Sequence, residues 1–400
     1  MIKFKSTPET YTLVFLCMLW GNKLMTIITA VCLRLPGLNM VARSVVPFIL
    51  FIVFLLASKD FLRRIKSADA IFYFVCASVF LMTYAFFPEN SDYLSENISL
   101  FLISALPFVF VGRAIDIEKL AKPFYIISLL CIIFESVNVL IFEAGERAMG
   151  DYQYDMYSAY RLLPHVLMVL WHFMRKVNII DLAAVLLGLF LLMGYGTRGA
   201  IMSVAFFVGF YLLFGIEGRK KWWYYLFVVS AVFVAIYSLS YLLEMLGVGI
   251  QQAGLSTRIL NAYEQDMLND DSGRGYIHEH ILKTLSTSPI LGLGICGDRA
   301  VTGGTYSHNI IYEFLASFGY LLGPMLLVAL VFFLFKAFRN CSSSEEKGFL
   351  LLLFGEVSHL LVSDTFLHDS YFFLLIGFSA KLIYNGSFRR DNSRVSDVKV

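Results

Sequence analysis

The chain has 400 residues, 58% of them hydrophobic and 16% charged, with a mean hydropathy of +0.71 and a formal net charge of +2. Such apolarity excludes an ordinary water-soluble globule, and the small net charge excludes the strongly basic surface by which proteins hold nucleic acid. The lipid bilayer is the expected partner, with no nucleic acid among the others.

Apolar runs of roughly membrane-crossing length recur at about 11–32, 44–58, 69–87, 98–112, 123–142, 158–173, 178–195, 199–215, 222–243, 308–335, 348–363 and 369–385. They predict an all-α polytopic membrane protein of about 12 transmembrane helices, forming a single integral membrane domain over residues 1–400. The first run begins like a signal-peptide core. Gly21, Asn22 and Lys23 then lead into more apolar sequence where a small-residue cleavage site would stand, so it reads as an uncleaved span. Lys23 inside this run and the shortness of the fourth make these two the least regular.

The loops between runs fall into two sets. One set holds the N-terminus, 58–69, 112–122, 172–178, 215–221, 336–347 and the C-terminal tail, and carries 21 of the lysines and arginines. The other set carries 8, although its loops are longer. Cation-rich loops stay in the cytoplasm, so both termini are expected there, in the inner membrane of a bacterium. The long 244–307 loop between spans 9 and 10 is then periplasmic if the host is Gram-negative. Inside it, 255–268 has apolar residues near helical spacing. After the turn signal 269-NDDSGRG-275, residues 276–286 read as a second short helix, ended by Pro289 and the glycines at 292, 294 and 297.

Six cysteines, Cys17, Cys32, Cys76, Cys131, Cys296 and Cys341, have no paired spacing, which argues against a disulfide framework or a zinc site. Residues 292-GLGICG-297 match a dinucleotide-binding pattern but lack the strand-turn-helix unit that gives the pattern meaning. His278 and His280 sit at i, i+2 and point apart on a helix, unlike the ligands of a zinc protease. The acidic groups 264-EQD-266 and Asp270-Asp271 are ordinary outside a membrane. No metal and no cofactor is expected.

The informative groups are cations on the outer side and polar residues inside spans. Arg198 stands in the tight turn 194-GYGTRGA-200 between two apolar helices. It reads either as an interface anchor that snorkels to the headgroups or as an anion site, since a guanidinium is a permanent fork of donors matched to phosphate oxygens. Arg258 and Arg274, in the outer loop, read singly as solvated residues and together with Arg198 and His308 as an oxyanion cluster. His308 follows Tyr306 and Ser307. If Ser307 caps the helix, the ring lies in the first turn, where unpaired N–H groups favour anions and disfavour imidazolium. An interfacial histidine bonded to a carbonyl is the plainer reading. Asn309 and Glu313 share a helix face. Glu135 with Asn138, and Glu356 with His359, are spaced i, i+3 and read as polar links between helices, or as the lining of a substrate path.

Taken in order, these pieces resemble the O-antigen ligase and polymerase superfamily of bacterial inner membranes. The resemblance rests on Thr197-Arg198-Gly199 opening a span, Ser272-Gly273-Arg274 followed by 289-PILGLG-294, and the helix start 306-YSHN-309 with a glycine pair downstream. It centres on 194–323. Ligases of this family typically show His-Asn, nine residues and G-x-x-G; here Gly319 fits and the second glycine, Gly323, comes one place late. With Glu313 four residues after Asn309, the segment looks more like the polymerase type.

The resemblance implies an O-antigen polymerase, a metal-independent inverting glycosyltransferase that joins undecaprenyl-pyrophosphate-linked oligosaccharides at the periplasmic face, with a chain-length regulator as a candidate partner. His308 and Arg274 would be catalytic; Arg198, Arg258, Tyr306, Asn309 and Glu313 would bind substrate. O-antigen ligase is the alternative. A transporter or lipid flippase would also have a dozen spans, but those built from two six-span halves normally show matching halves, often with a longer central cytoplasmic connection than 172–178.

Overall fold

A computed structural model describes residues 7–34, 39–139, 155–215, 273–287, 290 and 292–397. The expected span 222–243, the expected helix 255–268 and Arg258 lie outside the described residues. Among those described, the regular structure is helical throughout. In chain order the α-helices are α1 (Pro8–Trp20), α2 (Asn22–Arg34), α3 (Asn39–Arg64), α4 (Ser67–Phe86), α5 (Ser91–Ser99), α6 (Phe108–Ala114), α7 (Ile117–Val137), α8 (Met156–Arg175), α9 (Ile179–Gly194) and α10 (Arg198–Phe210). After the undescribed stretch come α11 (Arg274–Leu285), α12 (Gly297–Thr302), α13 (Ile310–Arg339), α14 (Ser344–Val357) and α15 (Ser370–Asp397).

Five segments of the described residues are long and apolar enough to cross a membrane: Ser67–Phe86, Pro88–Ala114, Ile117–Val137, Arg198–Gly215 and Ile310–Arg339. Pro8–Trp20 with Asn22–Ile28, bent by 63°, makes a sixth if counted as one span. The all-α, multi-pass character read from the sequence is therefore present, with fewer regular spans than the dozen apolar runs. Breaks in the helices account for part of the difference. The run 348–363 divides into α14 and the 3-10 turn Ser358–Leu361, and α9 has only 16 residues. The short fourth run extends backwards instead, through α5 and the π-helical turn Leu100–Ala105 into α6.

The chain divides into two compact units. The first comprises Met1–Arg63 and Asp116–Leu268, the second Arg64–Ile115 and Asn269–Val400.

In the first unit, Thr7 caps α1 by accepting from the Thr10 amide, and Gly21 separates α1 from α2. Trp20 stacks on Phe124 at 4.5 Å and donates to the Ser128 hydroxyl at 3.0 Å, which docks α1 on α7. Lys23, the anomaly of the first apolar run, is buried 2.5 Å from Glu135 of α7. Opposite charges brought together out of water neutralise each other, which is how a lysine is tolerated at that position. Glu135 also accepts from the Tyr195 hydroxyl, so one carboxylate ties α2, α7 and the end of α9. The reading of Glu135 as a polar link between helices is met in this form.

In the second unit, α6 and α15 pack closely enough to require glycines at the crossing. A Cβ on Gly112 would lie 2.2 Å from the Leu374 carbonyl oxygen, and one on Gly377 would lie 1.9 Å from that of Val109. Arg113 next to this crossing is buried against Asp69 of α4 at 3.1 Å. Aromatic residues fill the rest of this core, with Phe80 stacked on Phe101 at 4.9 Å and Phe101 against Phe373 at 5.8 Å.

Candidate active site

The second unit holds a polar cluster where α11, α12, the start of α13 and the 358–369 segment meet. Its frame is a backbone interlock. α13 is broken at Gly319, whose φ of 75° is a left-handed conformation that L side chains rarely adopt. The break lets Gly319 meet Gly292: a Cβ on Gly292 would lie 2.4 Å from the Gly319 nitrogen, and one on Gly319 would lie 2.4 Å from the Ile290 oxygen. The Leu293 amide donates to the Ala316 carbonyl at 2.6 Å, and the Asn90 side chain donates to the carbonyls of Leu293 and Ile295 at 2.7 and 3.0 Å. The glycines at 292 and 319 are thus two halves of one contact, fixing the 290–297 turn against α13.

On that frame stands a buried ionic group. Arg299 of α12 lies 2.9 Å from Asp298 and 3.6 Å from Glu313 of α13, and donates to the Thr365 hydroxyl at 3.0 Å. Thr365 donates in turn to Glu313, which also accepts from the Phe366 amide at 3.2 Å. One guanidinium thus lies within ion-pair distance of two buried carboxyl groups.

This group reaches the histidine loop through Asp298, whose second oxygen accepts from the Ser307 amide at 2.8 Å. From the other side, the His278 Nε2 lies 2.9 Å from the Ser307 carbonyl oxygen, and its ring stacks on Tyr312 at 3.8 Å. Both polar groups of the Ser307 backbone are therefore held. Arg299 also lies 5.6 Å from the Tyr306 ring centroid, and Tyr306 packs on His308 at 4.0 Å.

Asn309, not Ser307, caps α13: its side-chain oxygen accepts from the Ile311 amide at 2.8 Å, while its amide group donates to the Leu361 carbonyl at 2.8 Å. The Ser307 hydroxyl instead donates to the Asn309 carbonyl at 3.1 Å. The cap falls two residues later than Ser307, because Asn309 accepts from the Ile311 amide and bridges to 361 as well. His308 consequently lies just before the helix, with φ of 55°. Cys296 and Asp364, both at 62°, are the other non-glycine residues with positive φ among those described. Such conformations cost on the order of 1–3 kcal/mol each and tend to collect at functional sites.

The His308 ring is half-buried, and its Nδ1 has no hydrogen-bond partner among the described residues. Burial lowers its pKa from 6.5 to about 4, with the Arg274 charge contributing in the same direction. The ring is therefore neutral at physiological pH. Arg274 is the first residue of α11, preceded by Gly273 with φ of 80°, and donates to the Val362 carbonyl. The short helix expected over 276–286 is present, starting two residues earlier so that Arg274 lies on its first turn.

The structure thus brings together five of the seven residues singled out in the sequence: Arg274, Tyr306, His308, Asn309 and Glu313. Glu313 is buried, with both oxygens engaged inward. Arg198 belongs to the first unit, at the start of α10 after a turn containing Gly196 at φ of 72°; the preceding Tyr195 is held by Glu135 and by the Asp155 amide at 3.1 Å. Arg258 lies outside the described residues.

Four participants escape a reading of spacing alone: Asp298, Arg299, Thr365 and His278. The adjacent opposite charges 298-DR-299 directly after an apolar, glycine-rich turn are the one signal the sequence offers for them.

A family model described as O-antigen ligase matches residues 183–327. The match runs from the second turn of α9, through the Arg198 turn and the histidine loop, to the helix after the Gly319 break. Over those residues the chain is similar to the O-antigen ligase/polymerase superfamily. This family comprises glycosyltransferase-like enzymes, both O-antigen polymerases and ligases, acting on lipid-linked polysaccharide in bacterial membranes. No curated protein and no solved structure matches the chain.

Proposed function

We propose that the chain is an O-antigen polymerase, joining undecaprenyl-pyrophosphate-linked oligosaccharide repeat units by glycosyl transfer at the periplasmic face of the inner membrane. The observation that carries the reading is His308 itself, a neutral imidazole held by its neighbours in a left-handed backbone conformation, within the field of Arg274.

The chemistry asks for two things. The attacking sugar hydroxyl is a poor nucleophile and needs a base within hydrogen-bond reach; an imidazole that is unprotonated before the reaction can take the proton. The departing diphosphate gathers negative charge, which a guanidinium stabilises without giving up a proton. His308 is assigned the first role and Arg274 the second. One Arg274 donor fixes the side chain to the Val362 carbonyl and leaves the rest of the fork for phosphate oxygens. Tyr306 and Asn309 are proposed to line the sugar side. Attack opposite the leaving group inverts the anomeric centre. No step calls for a metal.

Glu313 fits a positioning role, since its oxygens face Thr365 and Phe366. Its place four residues after Asn309 supports polymerase over ligase, in line with the polymerase-type helix this segment resembles. Ligase remains the second reading, favoured by the description of the matched family model. Replacing His308 by Ala in the native host and examining lipopolysaccharide on a gel separates the two. A polymerase defect leaves cores bearing at most one repeat unit, a ligase defect leaves bare cores with polymer on its lipid carrier, and an unchanged ladder refutes both.

A further inference from the structure

The first unit contains a second polar site that the transfer reaction does not use. A cavity of about 340 Å³ opens between α7 and α8, and its lining includes Lys122, Tyr125, Met168, Trp171, His172 and Arg175. The two exposed cations come from different helices: Lys122 from the second turn of α7, Arg175 from the last residue of α8. Lys122 has no carboxylate within ion-pair distance among the described residues.

His172, in the same lining, is held in a fixed pose. Its Nδ1 lies 2.6 Å from Asp181, a fully buried carboxylate at the start of α9. Asp181 also accepts from the Tyr125 hydroxyl at 2.5 Å and from the Asn178 side-chain amide at 2.5 Å. Tyr125 stacks on the His172 ring at 3.9 Å. With Asp181 engaged by three donors and Nδ1 taken, Nε2 is the ring atom left for a ligand.

The pocket is also graded. Cations lie at the helix ends, and Met168 lies one helical turn below His172, with the Trp171 ring beside them and Arg175 5.5 Å from it. Polar groups at the rim and apolar ones a turn deeper match the profile of a lipid at the membrane surface, phosphate outermost and glycerol and acyl carbons below. A free anion would gain nothing from the deeper part. The two chain segments concerned, 112–122 and 172–178, are among the cation-rich loops expected in the cytoplasm, where the leaflet carries anionic lipid.

We propose that this pocket binds the phosphate headgroup of an anionic phospholipid, gripped by Lys122, Arg175 and His172. The test is native mass spectrometry of the full-length protein, delipidated in detergent and titrated separately with phosphatidylglycerol, phosphatidylcholine and inorganic phosphate. Phosphatidylglycerol is expected to bind most tightly. Lys122→Gln combined with Arg175→Gln should weaken it about tenfold, each single change less, and Lys59→Gln, which removes a charge elsewhere, not at all. Both residues of the pair are exposed, so these variants should melt like the unaltered protein without added lipid. Equal affinity for phosphatidylcholine, inorganic phosphate competing as well as the lipid does, or undiminished phosphatidylglycerol binding by the double variant would each overturn the assignment.

Discussion

The Asp298 carboxylate accepts from the Ser307 amide at 2.8 Å, one residue before His308. Asp298 is buried and paired with Arg299, so the position of the candidate base is tied to an ionic group in the protein interior. Arg299→Met should destabilise the protein by about 3–5 kcal/mol, because it leaves the buried Asp298 carboxylate beside Glu313 without its cation. Adding Glu313→Gln to Arg299→Met should recover part of that loss. Thermal unfolding in detergent measures both, and equal melting temperatures for Arg299→Met and the unaltered protein would contradict the pairing.

Asp298→Asn keeps the shape and weakens the charge that orients the loop. The expected result is a fall in turnover of roughly tenfold or more with substrate affinity little changed, since a displaced base costs rate more than binding. Comparing kcat and KM for the variant distinguishes this from a general loss of structure.

Gly319→Ala meets two obstacles together. Its φ of 75° disfavours a side chain by about 1–2 kcal/mol, and its Cβ would lie 2.4 Å from the Ile290 oxygen. Expression and melting temperature should both drop. Gly303→Ala, also at positive φ but with nothing within 4 Å of the added carbon, should lose less.

How legible these features were in the sequence depended on the range of the interactions. The all-helical architecture follows from apolar runs that each report on themselves. The α11 helix was visible from its turn signal and its glycine-rich end. Lys23 looked like a defect in the first span because its partner, Glu135, is more than a hundred residues away. Gly319 counted as one of a glycine pair, with no sign that it abuts Gly292. Ser307 and Asn309 are equally good caps by residue type, and what favours Asn309 is its further bond to Leu361. Arg299 is one of eight outer-side cations in the sequence. Its role depends on Thr365 and Glu313, which no local pattern joins to it.

The pKa of His308 gives a pH dependence with a definite sign. The folded value of about 4 lies below the unfolded 6.5, so between these values the unfolded chain binds more protons. This residue therefore contributes nothing against folding above pH 6.5 and lowers stability progressively as pH falls from 6.5 through 4. For catalysis by a neutral ring, the acid limb of kcat/KM should lie well below pH 6.5, while that of kcat should lie higher, because bound diphosphate favours the protonated ring. An acid limb at the same pH in both profiles would argue against contact between His308 and the diphosphate substrate.

The central claim is that His308 and Arg274 carry out glycosyl transfer from a lipid-linked donor. The direct measurement is the rate at which the purified full-length protein converts lipid-linked repeat units into polymer, for the unaltered chain and for His308→Ala, Arg274→Ala and Arg274→Lys. Losing a general base is expected to slow the rate by about 100-fold or more, Arg274→Ala should be similarly impaired, and Arg274→Lys should recover only part, since an ammonium lacks the planar fork. Polymer formed by His308→Ala and Arg274→Ala at the unaltered rate would contradict the account.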